Sequence, residues 1–81
     1  MIEKFKKFIN DKIYNQLCYY KTSNFKAHGY KGMRFYLTAY AEDYEYVKRQ
    51  ICHFIASWDD YVYVNMDPDR QDFVVEIREV V

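Results

Sequence analysis

Glycine occurs twice and proline once in 81 residues, too little for a collagen-like, linker-like or low-complexity chain. Cysteine is equally scarce. Cys18 and Cys52 cannot make a disulfide scaffold, and with His28 and His53 they leave no pair at the short gap that structural zinc sites use. No uncharged apolar run approaches the ~20 residues needed to span a bilayer. The start, MIEKFKKFIND, has neither the apolar stretch nor the small-residue cleavage site of a secretory signal. A glycine-rich phosphate loop is also missing, as is any cysteine or serine set with histidine and carboxylate as a nucleophile, base and orienter. These absences predict a cytoplasmic chain with reduced cysteines, no enzymatic activity, no cofactor and no bound metal.

What the sequence has is aromatic. Ten tyrosines, six phenylalanines and one tryptophan make up 21% of the residues. One small core cannot bury so many rings, each with about 150–250 Å² of surface. Some tyrosines must lie half-exposed, as they do at interfaces. The net charge is zero, yet it divides unevenly along the chain. Residues 1–34 hold eight cations and two acids; residues 36–81 hold four cations and ten acids. A fold that lays one half over the other neutralises this asymmetry; a fold that separates them exposes one basic and one acidic face.

Hydrophobic spacing predicts one α+β domain over residues 1–81. Ile2, Phe5, Ile9, Ile13, Leu17 and Tyr20 recur at steps of three or four, which reads as a helix over residues 2–20. Residues 21–31 contain Thr22, Ser23, Asn24 and Gly29 and read as a long loop. Residues 33–41 alternate as a strand: Met33, Phe35, Leu37, Ala39 and Ala41 turn to one side, Arg34, Tyr36, Thr38 and Tyr40 to the other. Asp43 then caps a second helix over residues 43–58, with Tyr44, Val47, Ile51, Phe54, Ile55 and Trp58 as its apolar stripe and Asp59 and Asp60 ending it. Two further strands, residues 61–66 and 72–78, form a hairpin around Asp67-Pro68-Asp69-Arg70. The predicted order is α-β-α-β-β, with a right-handed crossover between the first two strands and both helices on one face of a small three-stranded sheet.

Such a sheet leaves its other face open. Arg34, Tyr36, Thr38, Tyr40, Tyr61, Tyr63 and Asn65 would lie there, with Val74 or Arg78 beside them, as a platform of cross-strand tyrosine pairs. The favoured use is protein association, with a partner protein or in a homodimer that stacks two sheets. The alternative is single-stranded nucleic acid, held by Lys21, Phe25, Lys26, His28, Tyr30, Lys31 and Arg34, where cations and rings interleave. Against that stand a pI near 6.7 and the ten acids of the second half. The run Lys31-Gly32-Met33-Arg34-Phe35 has a trace of an RNA-recognition signature, but its rings would face the core.

In general character, a small tyrosine-rich chain without catalytic groups resembles the accessory proteins of phages and mobile elements that block a host enzyme or defence complex. The resemblance is one of composition and implies an adaptor or inhibitor. An inhibitor that mimics nucleic acid would use Asp59, Asp60, Asp67, Asp69, Asp72, Glu76 and Glu79; an adaptor would use the tyrosines.

Overall fold

A computed structural model of the chain describes residues 1–56 and 62–80. Helix α1 (Ile2–Phe8) runs on through a wider π turn at Ile9–Ile13 and a tight turn at Tyr14–Gln16. Then come β1 (Leu17–Ala27), β2 (Tyr30–Ala39), α2 (Tyr44–Ile55), β3 (Val62–Asp67) and β4 (Asp72–Val80). The fold is mixed α+β with a four-stranded antiparallel sheet of order β1-β2-β4-β3.

The expected three-stranded sheet is therefore corrected to four, and the order to α-β-β-α-β-β. The extra strand is β1, which replaces the end of the expected first helix and most of the expected loop at residues 21–31. Its origin is visible in the register. Leu17 pairs with Ala39 but Tyr19 with Thr38, so Cys18 is the extra residue of a bulge. The bulge puts Leu17 and Tyr20, three residues apart, on the same side of the sheet. That spacing imitates a helical turn, which is why periodicity alone extended the helix too far.

β1 and β2 join through His28-Gly29, both with positive φ, 51° and 81°. Between the paired Ala27 and Tyr30 this makes a two-residue turn whose twist suits a hairpin. The second hairpin, β3–β4, forms as expected around Asp67. Its Oδ1 accepts from the backbone N–H groups of Asp69 and Arg70 at 3.1 and 3.3 Å, the local bonding that fits aspartate for turns.

The crossover also differs. β2 and β3 are each antiparallel to β4, which lies between them, so they point the same way without touching. Inserting β4 satisfies both the α2 connection and the short β3–β4 turn. α2 itself follows its expected stripe: Tyr44, Val47 and Ile51 are buried, while Phe54 and Ile55 are half-buried. Asp43 stands at its N-cap without a side-chain capping bond. Trp58, Asp59, Asp60 and Tyr61 lie outside the described residues.

The core fills the space between the helices and one side of the sheet. Phe5, Ile9 and Ile13 come from the first helical segment, Val47 and Ile51 from α2, Phe35, Leu37, Phe73, Val75 and Ile77 from the strands. Phe5 joins these layers. Its ring lies 4.7 Å from Phe35 edge-on and 5.5 Å from both Phe8 and Phe54. Burial pushes the Tyr44 phenol up from its ordinary value, and its ring stacks on Phe73 at 4.9 Å.

Candidate partner-binding face

Antiparallel partners directly opposite one another project to the same side of a sheet, so the register gives the composition of the outer face row by row. One row reads Tyr19, Thr38, Asp72, Asp67; the next Lys21, Tyr36, Val74, Asn65; the next Ser23, Arg34, Glu76, Tyr63; the next Phe25, Gly32, Arg78; the last Ala27, Tyr30, Val80. Arg34, Tyr36, Thr38, Tyr63 and Asn65 thus share the side turned from the helices. Tyr63 is 54% exposed and Asn65 exposed; Arg34, Tyr36 and Thr38 are partly covered by their neighbours. Tyr40 is exposed but follows the end of β2 at the head of the short turn Ala41–Asp43. Tyr61 lies outside the described residues.

The anticipated platform of paired tyrosines is corrected at this point. β4 separates β2 from β3, so Val74 and Glu76 stand between the tyrosines of the two strands. Charged groups occupy the centre instead. Glu76 Oε2 accepts from Arg34 Nε at 2.7 Å, and Glu76 Oε1 accepts from Arg78 Nε at 2.9 Å and lies 2.8 Å from Arg78 Nη2. The Arg34 guanidinium sits 4.7 Å over the Phe25 ring, and that of Arg78 sits 3.8 Å over the Tyr63 ring. A ladder results: ring, cation, carboxylate, cation, ring. Burial by itself would raise the Glu76 carboxyl; hydrogen bonds from Arg34 and Arg78 outweigh it and hold the group below its ordinary range.

No protein family, curated protein or solved structure matches this chain. Its chemistry must be read from the face itself.

At the next row Thr38 Oγ1 donates to Asp72 Oδ1 at 2.7 Å, and Arg70 pairs with Asp72 at 3.3 Å. Each acid described on this face has a local partner. Asp67 is committed to its turn, and Glu76 lies between two arginines. Of the acidic set Asp59, Asp60, Asp67, Asp69, Asp72, Glu76 and Glu79, the described members do not share one surface: Asp72 and Glu76 are paired with arginines, Asp67 and Asp69 sit at the turn, and Glu79 opposes Lys31 on the reverse side. Arg34–Glu76 also carries the basic half of the chain across to the acidic half.

The residues considered for nucleic acid divide between the two sides of the first hairpin. Lys21, Phe25, Tyr30 and Arg34 follow the outer register, while Lys26 and Lys31 oppose one another on the reverse. His28 is in the turn. A strand's period of two separates the cations that looked contiguous in sequence. Sequence reading placed Val74 or Arg78 beside the open face and Glu76 in the acidic set, but could not join Glu76 to Arg34 and Arg78, or Arg78 to Tyr63. Among the described residues no cluster of three potential metal ligands occurs, and no helix is long and apolar enough to cross a membrane.

Proposed function

We propose that this protein is a binding module for another protein, an adaptor or inhibitor, and that the outer face of its sheet makes the contact. One observation carries the reading. The face combines exposed rings with balanced charge, Lys21, Arg34 and Arg78 against Asp67, Asp72 and Glu76, so it is aromatic and close to electrically neutral as a whole. Such a surface suits a protein interface, which is rich in tyrosine and arginine and poor in unmatched charge. A strand of nucleic acid needs cations free to replace its counterions. Here Arg34 and Arg78 share Glu76, and of the first hairpin's lysines only Lys21 faces outward, Lys26 and Lys31 lying on the reverse.

Tyr63 is the natural anchor, since its exposed ring lies against the Arg78 guanidinium at 3.8 Å. Tyr36 and Asn65 continue the surface along the next row. The test is affinity capture from cell extract with the parent and with a Tyr36→Ser/Tyr63→Ser variant, followed by binding measurements with the purified captured protein. The expected result is a stoichiometric partner that the parent binds and the variant loses at unchanged thermal stability. Equal binding by both proteins moves the contact off this face. Tight, strongly salt-dependent binding of an oligothymidylate by the parent replaces a protein partner with nucleic acid.

A further inference from the structure

The outer-face row Phe25–Gly32–Arg78 lacks a side chain at its centre. Beside that row lies a hollow of about 290 Å³, lined among the described residues by Phe25, His28, Tyr30, Arg34, Glu76 and Arg78, with Ala27 beside them. The glycine is required there: a Cβ would collide with the main-chain oxygen of Ile77 and come within 3.1 Å of the Phe25 ring. The Phe25 ring thus packs against the backbone at Gly32 and, with His28 and Tyr30, forms one side of the hollow. The two guanidiniums form the other.

Glu76 orients both arginines but does not exhaust them. It accepts from Arg34 Nε and Arg78 Nε and contacts Arg78 Nη2, whereas each guanidinium carries five N–H donors in a planar fork. The rings of Phe25 and Tyr63 fix the planes of those forks. Two arginines against one glutamate leave a single positive charge. One monoanion neutralises it, while a dianionic phosphate overshoots. A planar carboxylate matches the fork and can be held by two parallel N–H···O bonds.

We infer that this hollow is a carboxylate-binding subsite that receives a glutamate or aspartate side chain from an acidic segment of the protein partner. The inference rests on the outer face being a protein-binding surface and names the chemistry that the partner brings to it. The Glu76 clamp makes the subsite pre-organised, because neither arginine must be repositioned when the ligand arrives.

The experiment follows the Nε–Hε resonances of Arg34 and Arg78 in ¹⁵N-labelled parent protein during titration with acetyl-Gly-Phe-Glu-Phe-Gly-amide, its glutamine analogue, inorganic phosphate and an oligothymidylate. The expected outcome is a saturable shift of both resonances with the glutamate peptide, and binding roughly tenfold or more weaker for the glutamine peptide, as the loss of a charge-assisted pair implies. Equal binding of both peptides, immobile arginine resonances, or tighter binding of phosphate or oligothymidylate overturns the inference. With a captured partner in hand, Arg78→Gln separates the two levels of the argument. Partner binding lost in Tyr36→Ser/Tyr63→Ser but retained in Arg78→Gln refutes the subsite and leaves the docking face standing; binding retained in both variants refutes the face.

Discussion

Replacing Glu76 by glutamine keeps the side chain's shape and removes the charge that holds the outer face together. The carboxylate makes charge-assisted contacts to Arg34 and Arg78, with distances from 2.7 to 2.9 Å. At face value such bonds are worth about 1.5–3 kcal/mol each. That figure is too large here, because the Arg34 and Arg78 side chains remain 39% and 30% exposed and can rehydrate. Screened pairs contribute about 0.2–1 kcal/mol apiece, so the two together, with the repulsion left between adjacent arginines, come to about 1–2 kcal/mol. For a domain of this size that lowers the melting temperature by about 4–16 °C.

The pH dependence gives the sharper check. The native Glu76 carboxyl is held below its ordinary value of 4.5, so the unfolded chain binds this proton more readily than the folded one. The stabilisation is complete above the unfolded value and is lost as pH falls through the lowered native value. Thermal unfolding of parent and Glu76→Gln, followed by circular dichroism, should differ by a constant amount from about pH 8 to about pH 6 and converge as pH falls below the ordinary carboxyl value and through the lowered native one. A difference under about 2 °C at neutral pH, or one that persists unchanged into acid, refutes the view that the Glu76 clamp organises this face.

Three other substitutions test the architecture. Phe5→Ala removes the ring that touches Phe8, Phe35 and Phe54, and should cost about 3–5 kcal/mol in denaturant unfolding, most of the stability of a domain this small; a cost under about 1 kcal/mol would mean that the helices are not locked to the sheet through Phe5. Gly32→Ala forces a methyl group against the Ile77 carbonyl and should cost at least about 1–3 kcal/mol, with faster hydrogen exchange along β2 and β4; unchanged exchange would contradict that close approach. His28→Asn should stabilise the first hairpin by about 0.5–1 kcal/mol, because asparagine tolerates the left-handed conformation better; a lower melting temperature would argue against the two-residue turn.

Alternation made β2 and the β3–β4 hairpin legible from their residues alone. Phe35, Leu37 and Ala39 against Arg34, Tyr36 and Thr38 have a period of two that no helix reproduces, and Asp67-Pro68-Asp69 is a turn by its local chemistry. The stripe of Tyr44, Val47 and Ile51 fixed α2 in the same way. β1 was hidden for a physical reason. It is an edge strand with polar residues on both sides, and the bulge at Cys18 gives its inward residues Leu17 and Tyr20 a helix-like spacing. His28-Gly29 was the available signal, since histidine is among the residues enriched at positive φ and glycine favours it at the next position.

The sequence by itself determined which side of each well-patterned strand faces the core, because that information is local and repeats every second residue. It also determined that rings and arginines would remain on the opposite side. Only tertiary structure decided which of them meet. Placing β4 between β2 and β3 is a choice among strand orders, made by long-range pairing and by closure of the α2 connection. That choice interrupts the tyrosines with Glu76, gathers Arg34 and Arg78 around it, and brings both to the hollow beside Phe25.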